Sequence, residues 1–305
     1  MLIEYNADLL PKVRMIGHIR YSEPWIHFAR TSNEYVLYVL RDGNLYLDEA
    51  GIRYHLTAGD FFLLEPGLAH VGYQKATCDY YYVHFTHPEM SRTVDDAAAL
   101  ESMKEKRRQS LISYNLNEMD PTDPITYVPK QFHLSDPMFK TLLQTAVDAY
   151  DDREEHYKRV ASAQIHSFLL QVAHEYLMAE RTISLKQRKK SEIVAEQVLK
   201  YLNQNYAQPL SGKMLAERFE MNFDYMNRVI ASLTGYPIFA YLNLLRINHA
   251  KQLIATTDLK FSEIAYLVGI EDRYYFSKLF RKMTGLSPTE YYKEARSRHA
   301  KQEDA

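Results

Sequence analysis

Two stretches near the C-terminal end hold the side chains best suited to recognition chemistry. Asp224, Asn227 and Arg228 fall at i, i+3 and i+4, so a helix would place them on one face. Arg273, Tyr274, Ser277 and Lys278 offer the same pattern 50 residues later. Arg can hold guanine O6 and N7 bidentately, Asn can pair with adenine, and Asp can accept from cytosine N4. Lys213, Arg281 and Lys282 are placed to meet phosphates, which fix position without conveying sequence. A solvated helix face is the commoner role of such residues, and what favours recognition is that the pattern occurs twice. No nucleophile elbow, phosphate loop or HExxH motif occurs, so the expectation is no enzyme and no cofactor. The 12 His are scattered without paired spacing.

The elements that must present these residues form an internal repeat. Leu215-Ala216 and Phe219 match Ile264-Ala265 and Val268 at an offset of 49, and Tyr225-Met226, Thr234-Gly235 and Tyr241 match Tyr275-Phe276, Thr284-Gly285 and Tyr291 at 50. One residue inserted at the same turn of two copies means one supersecondary unit used twice. Each copy reads as a helix-turn-helix. A small residue (Ala216, Ala265) lets two helices cross closely, Asn222 or Asp272 caps the second helix, and Gly235 or Gly285 ends it. Met226, Val229 and Ile230 should be buried in the first copy; Phe276, Leu279 and Phe280 in the second. Glu220 stands where the second copy has Gly269, so the first turn must differ or carry strain. Between the copies, one helix is expected from Pro237 to about Thr256, a rod of roughly 30 Å, close to the ~34–36 Å of one DNA turn.

The remainder is read from pattern and charge. Residues 181–305 carry 20 Lys and Arg against 13 Asp and Glu, a net of +7, and the preceding residues 17 against 26, a net of −9, so one region suits a polyanion and the other does not. Over 25–87, short aromatic and β-branched runs alternate with turn residues, which predicts a small β-barrel, with Asp42-Gly43 as a hairpin turn. Tyr80, Tyr82 and His84 share one strand face, Tyr81, Val83 and Phe85 the other. Helical periodicity predicts helices over much of 90–110 and at about 136–151 and 157–179, with a strand in ITYVPKQFHL. The apolar stripe Val160, Ala161, Ile165, Phe168, Leu169, Val172 and Tyr176 suits either packing on the barrel or a dimer interface. Residues 181–190 read as a linker. One Cys, no signal-like start and no apolar run long enough for a membrane span suggest a cytoplasmic chain with no membrane partner.

Residues 191–296 resemble the DNA-binding domain of the AraC/XylS family of bacterial transcription regulators. The resemblance is carried by Leu215-Ala216, Leu245-Arg246-Ile247, Ala250, Leu253, Glu263-Ile264-Ala265, Val268-Gly269-Ile270, Tyr275 to Lys282 and Thr284 to Pro288, with Ile270 at a usual Phe. It implies an α+β chain: a cupin-like effector-sensing and dimerisation domain over 1–180, then double helix-turn-helix DNA binding over 191–305. It also implies promoter DNA, a small effector such as a sugar, a second copy and RNA polymerase as partners, leaving activation or repression open. Gly59 to His70 resembles the second cupin signature, with Glu65 at a usual Pro; His27, Ala29 and Glu34 match the first only in part. The likeness to sugar-sensing barrels implies effector contacts from Arg30, His70, Tyr73, Tyr80 and Tyr82. Two alternatives stay open: a metal-dependent cupin enzyme using His27, Glu34 and His70, or a constitutive regulator whose barrel only dimerises.

Overall fold

The computed structural model describes residues 1–112, 124–183 and 190–303, in two compact units, one built on residues 1–106 and 124–183, the other on residues 190–303. The segment read as a linker lies mostly outside the described residues. Among those described, no helix is long and apolar enough to cross a membrane.

The first unit is built around strands β1 (Leu2–Asn6), β2 (Lys12–Trp25), β3 (Arg30–Thr31), β4 (Tyr35–Glu49), β5 (Ile52–Thr57), β6 (Asp60–Leu64), β7 (Ala69–Gly72), β8 (Ala76–Thr86), β9 (Met90–Arg92), β10 (Ile125–Pro129) and β11 (Gln131–His133). The expectation of a hairpin at Asp42-Gly43 is wrong. β4 runs straight through it, pairing with β6 and β8 in its first half and with β5 and β7 in its second. Gly43 has a φ of 76° beside a register shift against β8, so its conformational freedom makes a bulge that bends one strand around a corner. A side chain there would meet the Thr77 carbonyl. The hairpin falls later, at Ala50-Gly51, where both residues have positive φ and Glu49 pairs with Ile52.

Alternation along these strands sorts two cores. Val36, Tyr38 and Leu40 of β4 face the barrel interior with Leu45, Leu47, Leu56, Phe62, Leu64, Cys78 and Tyr80. Tyr35, Leu37 and Val39 face outward, into a core shared with α2 (Met138–Asp151) and α3 (Tyr157–Ile183). α3 lays Ala161, Ile165, Phe168, Leu169 and Val172 on its own unit's sheets, each fully or almost fully buried and worth roughly 1.5–3 kcal/mol for the larger side chains. Its stripe therefore packs on the barrel; Val160, at its edge, is exposed. A further helix, α1 (Asp96–Ile112), follows β9.

The second unit is helical: α4 (Lys190–Asn205), α5 (Gly212–Arg218), α6 (Phe223–Thr234), α7 (Ile238–Thr256), α8 (Phe261–Leu267), α9 (Arg273–Thr284) and α10 (Pro288–Glu303). The first half of α7 packs Ile238, Tyr241, Leu242 and Leu245 with α4, α5 and α6. Its second half packs Ile247, Ala250 and Ile254 with α8 and α9. Arg246, between these sets, donates from Nε to the Tyr206 carbonyl at 2.8 Å and from Nη2 to the Gln208 carbonyl at 2.9 Å, holding the turn after α4.

The turns of the repeat carry matching hydrogen bonds in both copies. Met221 N–H donates to the Ala216 carbonyl at 3.1 Å and Ile270 N–H to the Ala265 carbonyl at 2.8 Å. Thr234 Oγ1 donates to Ile230 and Thr284 Oγ1 to Phe280, both at 2.9 Å. The turns do not differ: Glu220 adopts a φ of 50° where Gly269 has 77°, so the first copy carries the strain. We expect Gly269→Ala to cost about 2 kcal/mol or more, since a left-handed Ala is disfavoured and its Cβ would lie 2.5 Å from the Ala207 carbonyl. Glu220→Gly should instead stabilise by up to ~1 kcal/mol. Urea unfolding of the two variants checks both signs.

Candidate nucleic-acid interface and effector site

The second helix of each repeat is capped and half-sunk. Asn222 accepts from Tyr225 N–H at 3.1 Å, and Asp272 from Tyr274 and Tyr275 N–H at 2.7 and 3.2 Å. Met226 and Ile230 bury one face of α6; Phe276, Leu279 and Phe280 bury that of α9. The opposite face stays open. Asp224, Arg228, Arg273, Tyr274, Ser277, Lys278, Arg281 and Lys282 are all exposed, as is Lys213 on α5. Arg228 and Lys278 stand at equivalent places and form no ion pair among the described residues. Arg273 stacks over Tyr274, 4.7 Å from its ring centroid, and donates to its hydroxyl at 2.7 Å, so these two act as one flat group. Lys213 has only a long 3.9 Å pair with Glu217, worth little at the surface.

Asn227 departs from expectation. Its Oδ1 accepts from Ile238 N–H at 2.8 Å, one of the first free donors of α7. That helix starts after Pro237, which offers no side-chain cap, so Asn227 Oδ1 supplies the missing acceptor and leaves the Nδ2 donors for other contacts. Met214 and Tyr225, which the sequence reading did not single out for this face, add exposed side chains in the first turns of α5 and α6.

In the barrel, Arg30 is the hub. Its Nη2 donates to His27 Nε2 at 2.9 Å and to the Tyr38 hydroxyl at 3.2 Å, and its Nε donates to His70 Nε2 at 3.4 Å. His27 Nδ1 faces the Phe28 carbonyl at 3.0 Å and His70 Nδ1 the Leu68 carbonyl at 3.3 Å. A carbonyl can only accept, so both rings carry their proton on Nδ1 and turn the Nε2 lone pair toward Arg30. Burial, then the Arg30 charge and His70, hold His27 down at about 3. Burial lowers His70 too, with Arg30 adding to the effect. Tyr21 and Trp25 stack at 4.2 Å beside this group, and Phe28 stands exposed against Trp25. A cleft of about 440 Å³ is lined by Arg30 and His70 together with Ala29, Thr31, Asp48 and Val71.

The other expected contacts divide. Tyr80 is buried in the barrel interior against Tyr38, with ring centroids 5.2 Å apart, and Tyr82 is half-buried on the same strand face. Tyr73 does not join them. His70 and Gly72 of β7 point inward, so by alternation Tyr73 points outward, where it meets Tyr46 and lies under Arg53. Tyr38 was missed, although its place between Val36 and Leu40 on an alternating strand marks it as inward.

The metal set of the cupin alternative does not fit. Ala29 occupies one ligand position, and Glu34 is diverted: it accepts from Arg14 Nε at 2.8 Å and stands 3.5 Å from His84 Nδ1. The two remaining imidazoles face a guanidinium. Among the described residues no three His, Cys, Asp or Glu are grouped to hold an ion. Glu65, at the usual Pro of the cupin signature, has a structural reason. Burial pushes its carboxyl up, but Arg92 at 2.6 Å and Lys130 at 2.8 Å outweigh that and hold it below the ordinary range. Lys130, itself buried, also pairs with buried Glu49.

Comparison with known proteins agrees with this architecture. The chain matches the AraC-like ligand binding domain over residues 15–173 and a helix-turn-helix domain over 215–294. It is similar to the "Uncharacterized HTH-type transcriptional regulator YisR" of Bacillus subtilis (strain 168), 25% identical over 276 residues, 88% of each chain. It is also similar to the "HTH-type transcriptional activator RhaS" of Enterobacter sp. (strain 638), 25% identical over 57% of this chain and 62% of that one. Among solved structures, the C-terminal domain of AraT, a response regulator from Geobacillus stearothermophilus, is 27% identical with a TM-score of 0.33, covering 35% of this chain and 88% of that one. A ligand-binding barrel and a doubled helix-turn-helix define a DNA-binding transcription regulator. The chain belongs to the AraC/XylS family.

Two outcomes follow for the reassigned residues. Asn227→Ala should cost about 1 kcal/mol of stability and weaken specific and random DNA equally, measured by thermal unfolding and competition binding; a loss confined to one base position would return it to the reading face. For His27, the unfolded ring takes a proton near 6.5 and the folded ring not until about 3. Between those values the unfolded state binds more protons, so stability falls as pH drops through that window. His27→Gln should flatten the slope of unfolding free energy against pH from 6.5 to 3.

Proposed function

We propose that the chain regulates transcription by setting α6 and α9 into successive major-groove faces of promoter DNA under the control of a small oxygen-rich effector, a sugar or related metabolite, held by the barrel. The observation that carries this reading is the pair of matched exposed faces: Asp224 and Arg228 on one helix; Arg273, Tyr274, Ser277 and Lys278 on the other. Both are backed by buried faces in the same register. α7 contributes to both cores, and its 19 residues make a rod of about 28 Å, near one turn of B-DNA. Lys213, Arg281 and Lys282 take phosphates.

On this reading residues 1–180 sense and dimerise, 191–305 bind DNA, and 181–190 connect them. Arg30 holds the effector directly, with His70 orienting its guanidinium and Tyr80 and Tyr82 behind them. The effector acts by binding one conformational state more tightly than the other, and its leverage is limited to that difference. A second copy doubles the operator contacts, and RNA polymerase is the partner an activator of this kind would address.

Selection of bound sequences from a random pool, followed by footprinting, tests the DNA reading. We expect protection over two groove faces one helical turn apart per protomer. Arg228→Ala should cost ~1–3 kcal/mol on the selected site and relax preference at one base. A protected stretch of about one groove face per protomer, or an equal loss on selected and random DNA, would contradict it.

A further inference from the structure

We propose that the Arg30 guanidinium is a built-in cation, standing where this barrel type would place a metal, and that it makes the effector site selective for a molecule bearing a carboxylate. The proposal rests on the barrel being the sensor and narrows what it senses. Arg30 has three protein partners, His27, His70 and Tyr38, and all are uncharged acceptors. They orient the guanidinium without neutralising it. The acids around it are engaged elsewhere: Glu34 with Arg14, Glu49 with Lys130, Glu65 with Arg92 and Lys130, and Asp48 with Arg53. No ion pair to Arg30 exists among the described residues. Its charge is therefore uncompensated.

The geometry leaves one side of the fork for a ligand. Nε and Nη2 are committed to the imidazoles and the phenol, and among the described residues neither proton of Nη1 has a protein acceptor. Arg30 is exposed, so that nitrogen is reachable from solution. Neutral hydroxyls could accept from it, but a carboxylate adds charge to the hydrogen bond, and charge-assisted bonds are about twice as strong. Two imidazoles converging on a cation resemble two ligands of a metal, with one difference. A tethered guanidinium cannot be stripped by a chelator and does not titrate near neutrality. The stacked Tyr21 and Trp25 with exposed Phe28 give the remainder of such a molecule an aromatic wall.

Two matched pairs of probes test this on the full chain: benzoate against benzamide, and D-glucuronate against D-glucose. Binding is followed by the NMR signals of the histidine rings and by Trp25 fluorescence. Each acid should bind at least about tenfold more tightly than its neutral twin. Arg30→Gln should abolish the difference, and Arg30→Lys, which keeps the charge, should retain part of it; circular dichroism confirms that both variants fold. Equal binding of acid and neutral twin overturns the proposal while supporting the barrel as a sensor. Acid binding that survives Arg30→Gln, or no response to either acid, overturns it as well. The footprint of the DNA-binding region is unaffected by these outcomes, so the regulator reading stands or falls separately.

Discussion

Left-handed backbone at a few positions governs the geometry on which both functional regions depend. Without the positive φ of Gly43, β4 could not turn a corner and pair with four neighbours, and Tyr38 of β4 and His70 of β7 would not converge on Arg30. In the helical unit the same constraint acts at Glu220 and Gly269, which close the two turns, and at Gly235 and Gly285, which end α6 and α9. At Gly269 the constraint is double, because the Ala207 carbonyl lies where a side chain would go. The first copy tolerates Glu at the equivalent place and bears the local cost, showing that the turn shape is imposed by the packing of α5 against α6 and not by one residue's preference.

Polar groups are handled differently in the two units. The helical unit keeps its charges outside, where Arg228, Lys278, Arg281 and Lys282 remain available, and uses short polar side chains for internal jobs: Asn227 starts α7, and Thr234 and Thr284 lock the turns that follow their helices. The barrel buries charge. Glu49, Glu65 and Lys130 lie inside, and their mutual satisfaction with Arg92 makes removal of any one more costly than the pair's net worth. With these acids paired, exposed Arg30 keeps only uncharged partners among the described residues: His27, Tyr38 and His70.

The repeat, the caps, the buried faces of α6 and α9 and the length of α7 were legible in the sequence because each depends on spacing along one chain segment. Helical period and capping chemistry are local, and two copies checked each other. The capping role of Asn227 was not legible because its acceptor is needed by a backbone donor eleven residues away, beyond the reach of any pattern on its own helix. Tyr73 was misplaced because a likeness to sensing barrels fixes neighbourhood, whereas strand alternation from His70 fixes direction. Asp42-Gly43 was read as a hairpin because the dipeptide accepts positive φ, a requirement that turns and bulges share; only the pairing of both halves of β4 tells them apart.

The amino-acid sequence by itself determined the two-part α+β organisation, the doubled helix-turn-helix and the residue types on the exposed faces of α6 and α9, since these follow from periodicity, turn chemistry and charge. The tertiary structure alone decided that Arg30 would meet His27, Tyr38 and His70, that Glu34 would turn to Arg14, and that Glu65 would find Lys130 and Arg92. These pairs are separated by three to 65 residues and belong to different strands or loops. Which of several competing partners a charge takes depends on distance and burial, quantities that exist only once the barrel has folded.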